Sequence, residues 1–161
     1  MDKEYLSSVE KIVSNRKFKK LESEVHHHTS NRLKHCMDVS YISYKICKGL
    51  KLDSKSAARA GLLHDFFLND EFNNKASRLL THSEQSILNA SKITTLNEKE
   101  KDIISSHMFP IGGTVPKCPE SVIVDLVDDY VAFKELVLGD VRVLRAATMY
   151  LVIILTEIIM R

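Results

Sequence analysis

The sequence predicts an all-α fold, a single-domain bundle of about five to seven helices. Apolar residues recur along most of the chain at the three-to-four spacing of helices. Asn, Asp, Gly and Pro punctuate it at distances that suit helix starts and stops. No segment makes a convincing strand.

Residues 3–20 carry Leu6, Val9, Ile12 and Val13 on one side and end in Lys17, Lys19 and Lys20, a basic end that suits a helix C-terminus. Ser30 or Asn31 caps a second helix over 30–48, with Gly49 as its stop. Asp53 caps a third running through SKSAARAGLLHDFF (54–67), in which Ala57, Ala60 and Gly61 allow close packing and a central position. Thr81 with Glu84, and Asn97 with Glu100, have capping-box spacing, so helices are expected to begin at about His82 and just after Asn97. Residues 108–119, MFPIGGTVPKCP, hold all three prolines and two adjacent glycines, which argues against helix. Pro119 opens a helix over 119–138 whose Val122, Leu126, Tyr130 and Phe133 form one apolar face. Asp140, after Gly139, starts a strongly apolar helix over 140–161. Its run from Ala146 to Met160 falls short of the roughly 20 residues a spanning helix needs, and Glu157 interrupts it. A core helix or a homodimer interface is expected there rather than a membrane span.

A chain of 161 residues suits one domain, here 1–161, with a real hydrophobic core. The net charge of +2 is spread rather than massed and leaves no nucleic-acid footprint. Cys36, Cys47 and Cys118 form no C-x-x-C pair, and Cys36 and Cys47 stand roughly 16 Å apart along one helix. Reduced thiols in a cytoplasmic protein are therefore expected. The N-terminal MDKEYLSSVEKIV lacks the apolar core and cleavage site of a signal peptide.

The chemistry lies in an ordered series: His35, His64-Asp65, His82 and His107, followed by Asp125, Asp128 and Asp129. These imidazoles and carboxylates can hold one or two metal ions. His35 shares a stripe with Val39, Ile42 and Ile46 and points inward, where a histidine bonded to backbone is the bland alternative. Arg32 lies one turn earlier on the same side, and an inward arginine needs an anion or a carboxylate. His64 and Asp65 point about 100° apart within the apolar run AGLLHDFF, so burial would oblige them to find partners or a metal. Taken alone, His82 reads as an exposed first-turn residue, and His107 is open to reading as an imidazolium offsetting a helix dipole. Asp128 is the chosen aspartate; Asp125 and Asp129 share a face expected to meet solvent and are held in reserve.

Five segments, RLKHCMDVS, ARAGLLHDFF, THSEQSILNA, IISSHMFP and LVDDYVAF, together resemble the HD-domain metal-dependent phosphohydrolase superfamily over a core of residues 28–135. The histidines in THSEQSILNA and IISSHMFP are similar to those of its two-metal branch, including small bacterial enzymes that cleave diadenosine tetraphosphate. The resemblance implies that His35, His64, Asp65 and Asp128 bind one metal, that His82 and His107 complete a second, and that Asp65 bridges them. Iron, manganese, zinc and magnesium are not distinguished. It implies catalysis centred on His64 and Asp65, in which metal-activated water cleaves a phosphate ester or phosphoanhydride of a small, nucleotide-like substrate. Arg32, and more loosely Arg59 and Lys117, would hold phosphates, and His28 would line the entrance. Two departures stand out. Leu68 occupies a position that is basic in many relatives, and the tyrosine signature of the cyclic-dinucleotide branch is absent. A catalytically weak nucleotide- or metal-sensing module is the alternative, and a metal-free structural partner a third reading.

Overall fold

The computed structural model describes residues 2–24, 30–112 and 114–137. His28 and the apolar segment 140–161 lie outside the described residues, and so do the core or interface roles expected for that segment. Helix α1 (Lys3–Val13) starts where the Asp2 carboxylate accepts the Glu4 N–H, and it buries Tyr5, Val9 and Ile12. One helix was expected over 3–20; the chain makes two. Asn15 takes an extended conformation and accepts the Lys17 N–H, which caps a separate short helix, α2 (Arg16–Lys19). A 3-10 turn over Lys20–Ser23 follows.

Helix α3 (Arg32–Gly49) is capped by Asn31, whose side chain accepts the Lys34 N–H. Gly49 is its last residue rather than its stop, and the left-handed turn falls on Lys51, with φ of 59°. Helix α4 (Ser54–Leu63) is capped by Asp53 as expected but ends four residues before Phe67. The His64 ring explains the early stop. Its Nδ1–H donates to the Gly61 carbonyl at 2.8 Å, taking the acceptor that a continuing helix would offer to the Asp65 N–H.

Helix α5 (Lys75–Ser91) begins seven residues ahead of the expected start at His82. Asn74 is the cap, accepting the Ser77 N–H, whereas the Thr81 hydroxyl merely donates back to the Ser77 carbonyl within the helix. Helix α6 (Glu98–Ser106) has the expected Asn97–Glu100 capping box. Helix α7 occupies 119–137 of the described residues. The all-α class holds: there are seven α-helices and no strand among the described residues.

α3 and α4 form the centre of the bundle. Gly61 makes their approach possible, since a Cβ there would stand 3.2 Å from the Ser40 Cα. Ser40 completes the contact by donating to the Ala58 carbonyl at 2.7 Å while pairing with the Tyr5 hydroxyl. Around this pair lie Phe18, Tyr44, Leu62, Leu63, Ile103, Ile104, Val124 and Val131.

The expected apolar stripe of α7 exists but faces solvent among the described residues, with Leu126 61% and Phe133 66% exposed. The opposite side is packed inward and carries Glu120, Ser121, Val124, Val131 and Glu135. Polar partners waiting in the core select that side, as the site makes plain. Among the described residues no helix is long and apolar enough to cross a membrane. The three cysteines are free thiols, two of them buried.

Candidate metal centre

Five helices deliver the histidine and aspartate series to one place. His35 comes from the second turn of α3, His64 and Asp65 from the end of α4, His82 from the buried face of α5, His107 from the end of α6 and Asp128 from α7. All four histidines and Asp65 are buried.

Three of the rings are locked by one device. His64 donates Nδ1–H to Gly61 O at 2.8 Å, His82 to Arg78 O at 2.9 Å and His107 to Ile104 O at 2.7 Å. A carbonyl oxygen only accepts, so Nδ1 must carry the proton, and in each neutral ring Nε2 is a bare lone pair. The three Nε2 atoms converge. His82 Nε2 and His107 Nε2 are 2.9 Å apart, each 3.6 Å from Asp65 Oδ1. His64 Nε2 has no hydrogen-bond partner and lies 3.4 Å from Asp128 Oδ1. His35 faces carboxylates on both sides, with Nε2 2.7 Å from Asp128 Oδ1 and Nδ1 3.3 Å from Glu135 Oε2.

Two groups of donor atoms result, each with its atoms within 4.8 Å of one another: His35, His64 and Asp65, and Asp65, His82 and His107. Asp65 belongs to both. Buried lone pairs and carboxylates turned on one another are costly unless a proton or cation stands between them. The donors are those of a first-row metal site, and the residues fit such an ion.

Electrostatics point the same way. Burial works against a charged His64, but Asp128 and then Asp65 outweigh it and push its pKa up to about 9. Burial would raise the Asp128 carboxyl, yet His64 and His35 hold it well below the usual range. His82 is lowered by burial, with Asp65 opposing and His107 adding to the shift. Asp125, expected in solvent, is 9% exposed and raised to about 6 by burial and by Asp129. Asp129 is exposed, as expected.

An open cavity of about 480 Å³ leads to this cluster, bounded by Asp65, His82 and His107 at its floor and by Asp128, Asp129 and Met108 on one side. Arg32 also lines it. Its guanidinium stacks on the Phe67 ring at 3.9 Å and donates to Phe67 O and Asn69 Oδ1. Arg59 and Lys117 are not brought there. Arg59 binds Glu100, Thr94 and the Thr95 carbonyl across the α4–α6 seam, and Lys117 lies by Asp102 in a separate depression.

Glu135, Lys75 and Arg78 are polar groups at the site that the sequence pattern left unremarked. Glu135 stands seven residues after Asp128, on the same helix face, and that spacing was the available signal. Lys75 and Arg78 stand seven and four residues before His82, and they join its face once the helix starts at Asn74.

The family model for the HD domain matches residues 32–132. Neither the curated proteins nor the solved structures contain a match to the chain.

Proposed function

The chain belongs to the HD domain family of metal-dependent phosphohydrolases, and from that premise we propose that it hydrolyses a phosphate ester or phosphoanhydride of a small, nucleotide-like substrate. One observation carries the reading: three buried histidines each donate Nδ1–H to a carbonyl and so turn their Nε2 atoms towards Asp65 and Asp128. In this reading His35, His64, Asp65 and Asp128 hold one divalent ion, His82 and His107 hold a second, and Asp65 is shared. Iron, manganese, zinc and magnesium all accept such donors to differing degrees.

When bound, such ions supply Lewis acidity towards phosphate oxygens and lower the pKa of water. The residues of the chain do the rest. The Nδ1–H bonds fix ring orientation before substrate arrives, so no reorganisation accompanies the reaction. Asp65, shared between the two donor groups, and His64 beside it set the geometry at the reacting phosphate. The cavity admits a small phosphorylated compound along the face lined by α5 and α7. Free thiols accord with the proposed cytoplasmic setting.

Elemental analysis of purified protein, with a phosphatase and phosphodiesterase panel in added manganese or iron, tests the proposal. Metal at one to two equivalents and turnover of at least one phosphate compound are expected, both lost in Asp65→Ala. Full activity in that variant, or wild-type protein that takes up no metal, would overturn the reading. Tight binding of one nucleotide with negligible turnover would favour the sensing module instead.

A further inference from the structure

One wall of the cavity is basic, and its charges are not neutralised. Helix α5 turns Lys75, Arg78, Leu79 and His82 towards the cavity at i, i+3, i+4 and i+7. Arg78 is thus a helical rise of ~6 Å from the proposed ligand His82. Its Nη1 donates to Asn69 Oδ1 at 2.8 Å, and Arg32 Nη2 donates to the same oxygen at 3.1 Å. Two guanidinium groups therefore meet on one neutral acceptor, which satisfies a hydrogen bond from each but opposes the charge of neither.

Glu24, 3.5 Å from Arg32, answers one of the two. Among the described residues, no carboxylate pairs with Arg78 or Lys75. Arg32 is 3% exposed, and its Nε is buried without a partner. The first turn of α5 contains no acidic residue, so Lys75 sits uncompensated at the positive end of a 17-residue helix. The lining that α7 contributes is acidic, with Asp128 and the exposed Asp129. The cavity is thus polarised: carboxylates and imidazoles gather cations at its floor, and α5 leaves a place for an anion one turn away.

We infer that Arg78 and Lys75, backed by Arg32 and held in register by Asn69, form an anion subsite for a phosphate group other than the one cleaved. The inference rests on the hydrolase reading for the position of the cleaved phosphate. The subsite makes the site selective for compounds that carry a second phosphate, since a monophosphate seated at the donor cluster cannot also occupy it. Arg78 supplies the planar fork that matches two phosphate oxygens, and Lys75 supplies a point charge at the mouth.

Calorimetric titration of the metal-loaded chain with inorganic pyrophosphate and with inorganic phosphate tests the inference without requiring turnover. Pyrophosphate should bind more tightly than phosphate, and Arg78→Gln should weaken pyrophosphate about ten-fold, the size of one lost charge-assisted contact. The same variant should leave phosphate affinity within about two-fold and metal content unchanged. Lys75→Gln, at an exposed position, should weaken pyrophosphate by a few-fold, and Arg78→Lys should recover part of the loss. Equal affinity for the two probes in the wild type, or a pyrophosphate preference that survives Arg78→Gln, would overturn the subsite. If no phosphate compound is turned over but the Arg78-dependent preference remains, the hydrolase reading fails and the subsite stands.

Discussion

His82 Nε2 lies 2.9 Å from His107 Nε2, and each ring donates its Nδ1–H to a carbonyl of its own helix. Two neutral imidazoles in this arrangement oppose lone pair to lone pair, in a place that burial shields from water. Either a proton or a metal ion resolves the conflict. Burial lowers the pKa of His82, which makes the proton the weaker solution near neutral pH.

Removal of metal should therefore destabilise the fold. Chelation of loaded protein is expected to lower its melting temperature, and manganese or iron to restore it. At free metal 100-fold above Kd, linkage is worth about 2.7 kcal/mol. His82→Gln removes one of the opposed nitrogens, so the variant should bind less metal yet show a smaller difference between its chelated and loaded melting temperatures. A wild-type melting temperature indifferent to chelator, in protein first shown to be loaded, would count against a metal at this pair.

Glu135 should act through His35. Its Oε2 is 3.3 Å from His35 Nδ1, on the side of the ring away from Asp128. A carboxylate in that position orients a ligating imidazole and raises its basicity. Glu135→Gln should accordingly weaken metal binding by about 10- to 100-fold in a competition titration, with full activity recovered at saturating metal. Unchanged metal affinity would reduce Glu135 to a packing residue.

The donor series was legible because burial and polarity conflict within it: His64 and Asp65 interrupt the apolar run AGLLHDFF, and a buried polar pair must be answered. The Asn97–Glu100 box was legible because both of its hydrogen bonds are local. The start of α5 was not. Thr81 and Glu84 have the spacing of a box, but Asn74 holds the cap, and the misplaced boundary concealed Lys75 and Arg78 from the face they share with His82. The inward side of α7 was also hidden. Periodicity reveals that Val122, Leu126, Tyr130 and Phe133 share a stripe, but packing is decided by tertiary partners. Glu120 is drawn in by Lys99 and the Asp53 N–H, and Asp128 and Glu135 by His35. Arg59 illustrates the same limit, since a cation on the helix that leads to His64 and Asp65 is open to reading as a phosphate contact until Glu100 is found across the seam.

Glu120 should make the fold acid-sensitive. Its Oε1 accepts from Lys99 Nζ at 2.7 Å and from the Asp53 N–H at 2.9 Å, joining α7 to α6 and to the cap of α4. Burial would raise its pKa, but these donors outweigh burial and hold it at about 2. The folded-state pKa lies below the unfolded one, so the contribution to stability is complete above about pH 4.5 and is lost as pH falls through about 2. Discounted for the partial exposure of Lys99, it amounts to about 2 kcal/mol. Glu120→Gln should be less stable than wild type by that amount at pH 7 in urea unfolding, and the gap should close as pH approaches 2. A pH-independent gap would mean that shape rather than charge is lost.

Gly61 should be intolerant of even one methyl group. An ideal Cβ there meets the Ser40 Cα at 3.2 Å and the Ser40 N at 3.4 Å. Both are backbone atoms, so neither can rotate away, and α4 must retreat from α3 by a few tenths of an ångström. Alanine brings a helix-propensity gain of up to about 1 kcal/mol over glycine. Overpacking costs about 1–3 kcal/mol, so net destabilisation of about 1 kcal/mol is expected. The functional effect should exceed the thermodynamic one, because α3 carries His35, α4 ends in His64, and their rings stand 5.4 Å apart across this seam. Gly61→Ala should therefore weaken metal binding at a temperature where the variant is still fully folded by circular dichroism. A variant more stable than wild type with unaltered metal affinity would show that the two helices have slack to give, and that glycine is not what sets the distance between the first two histidines.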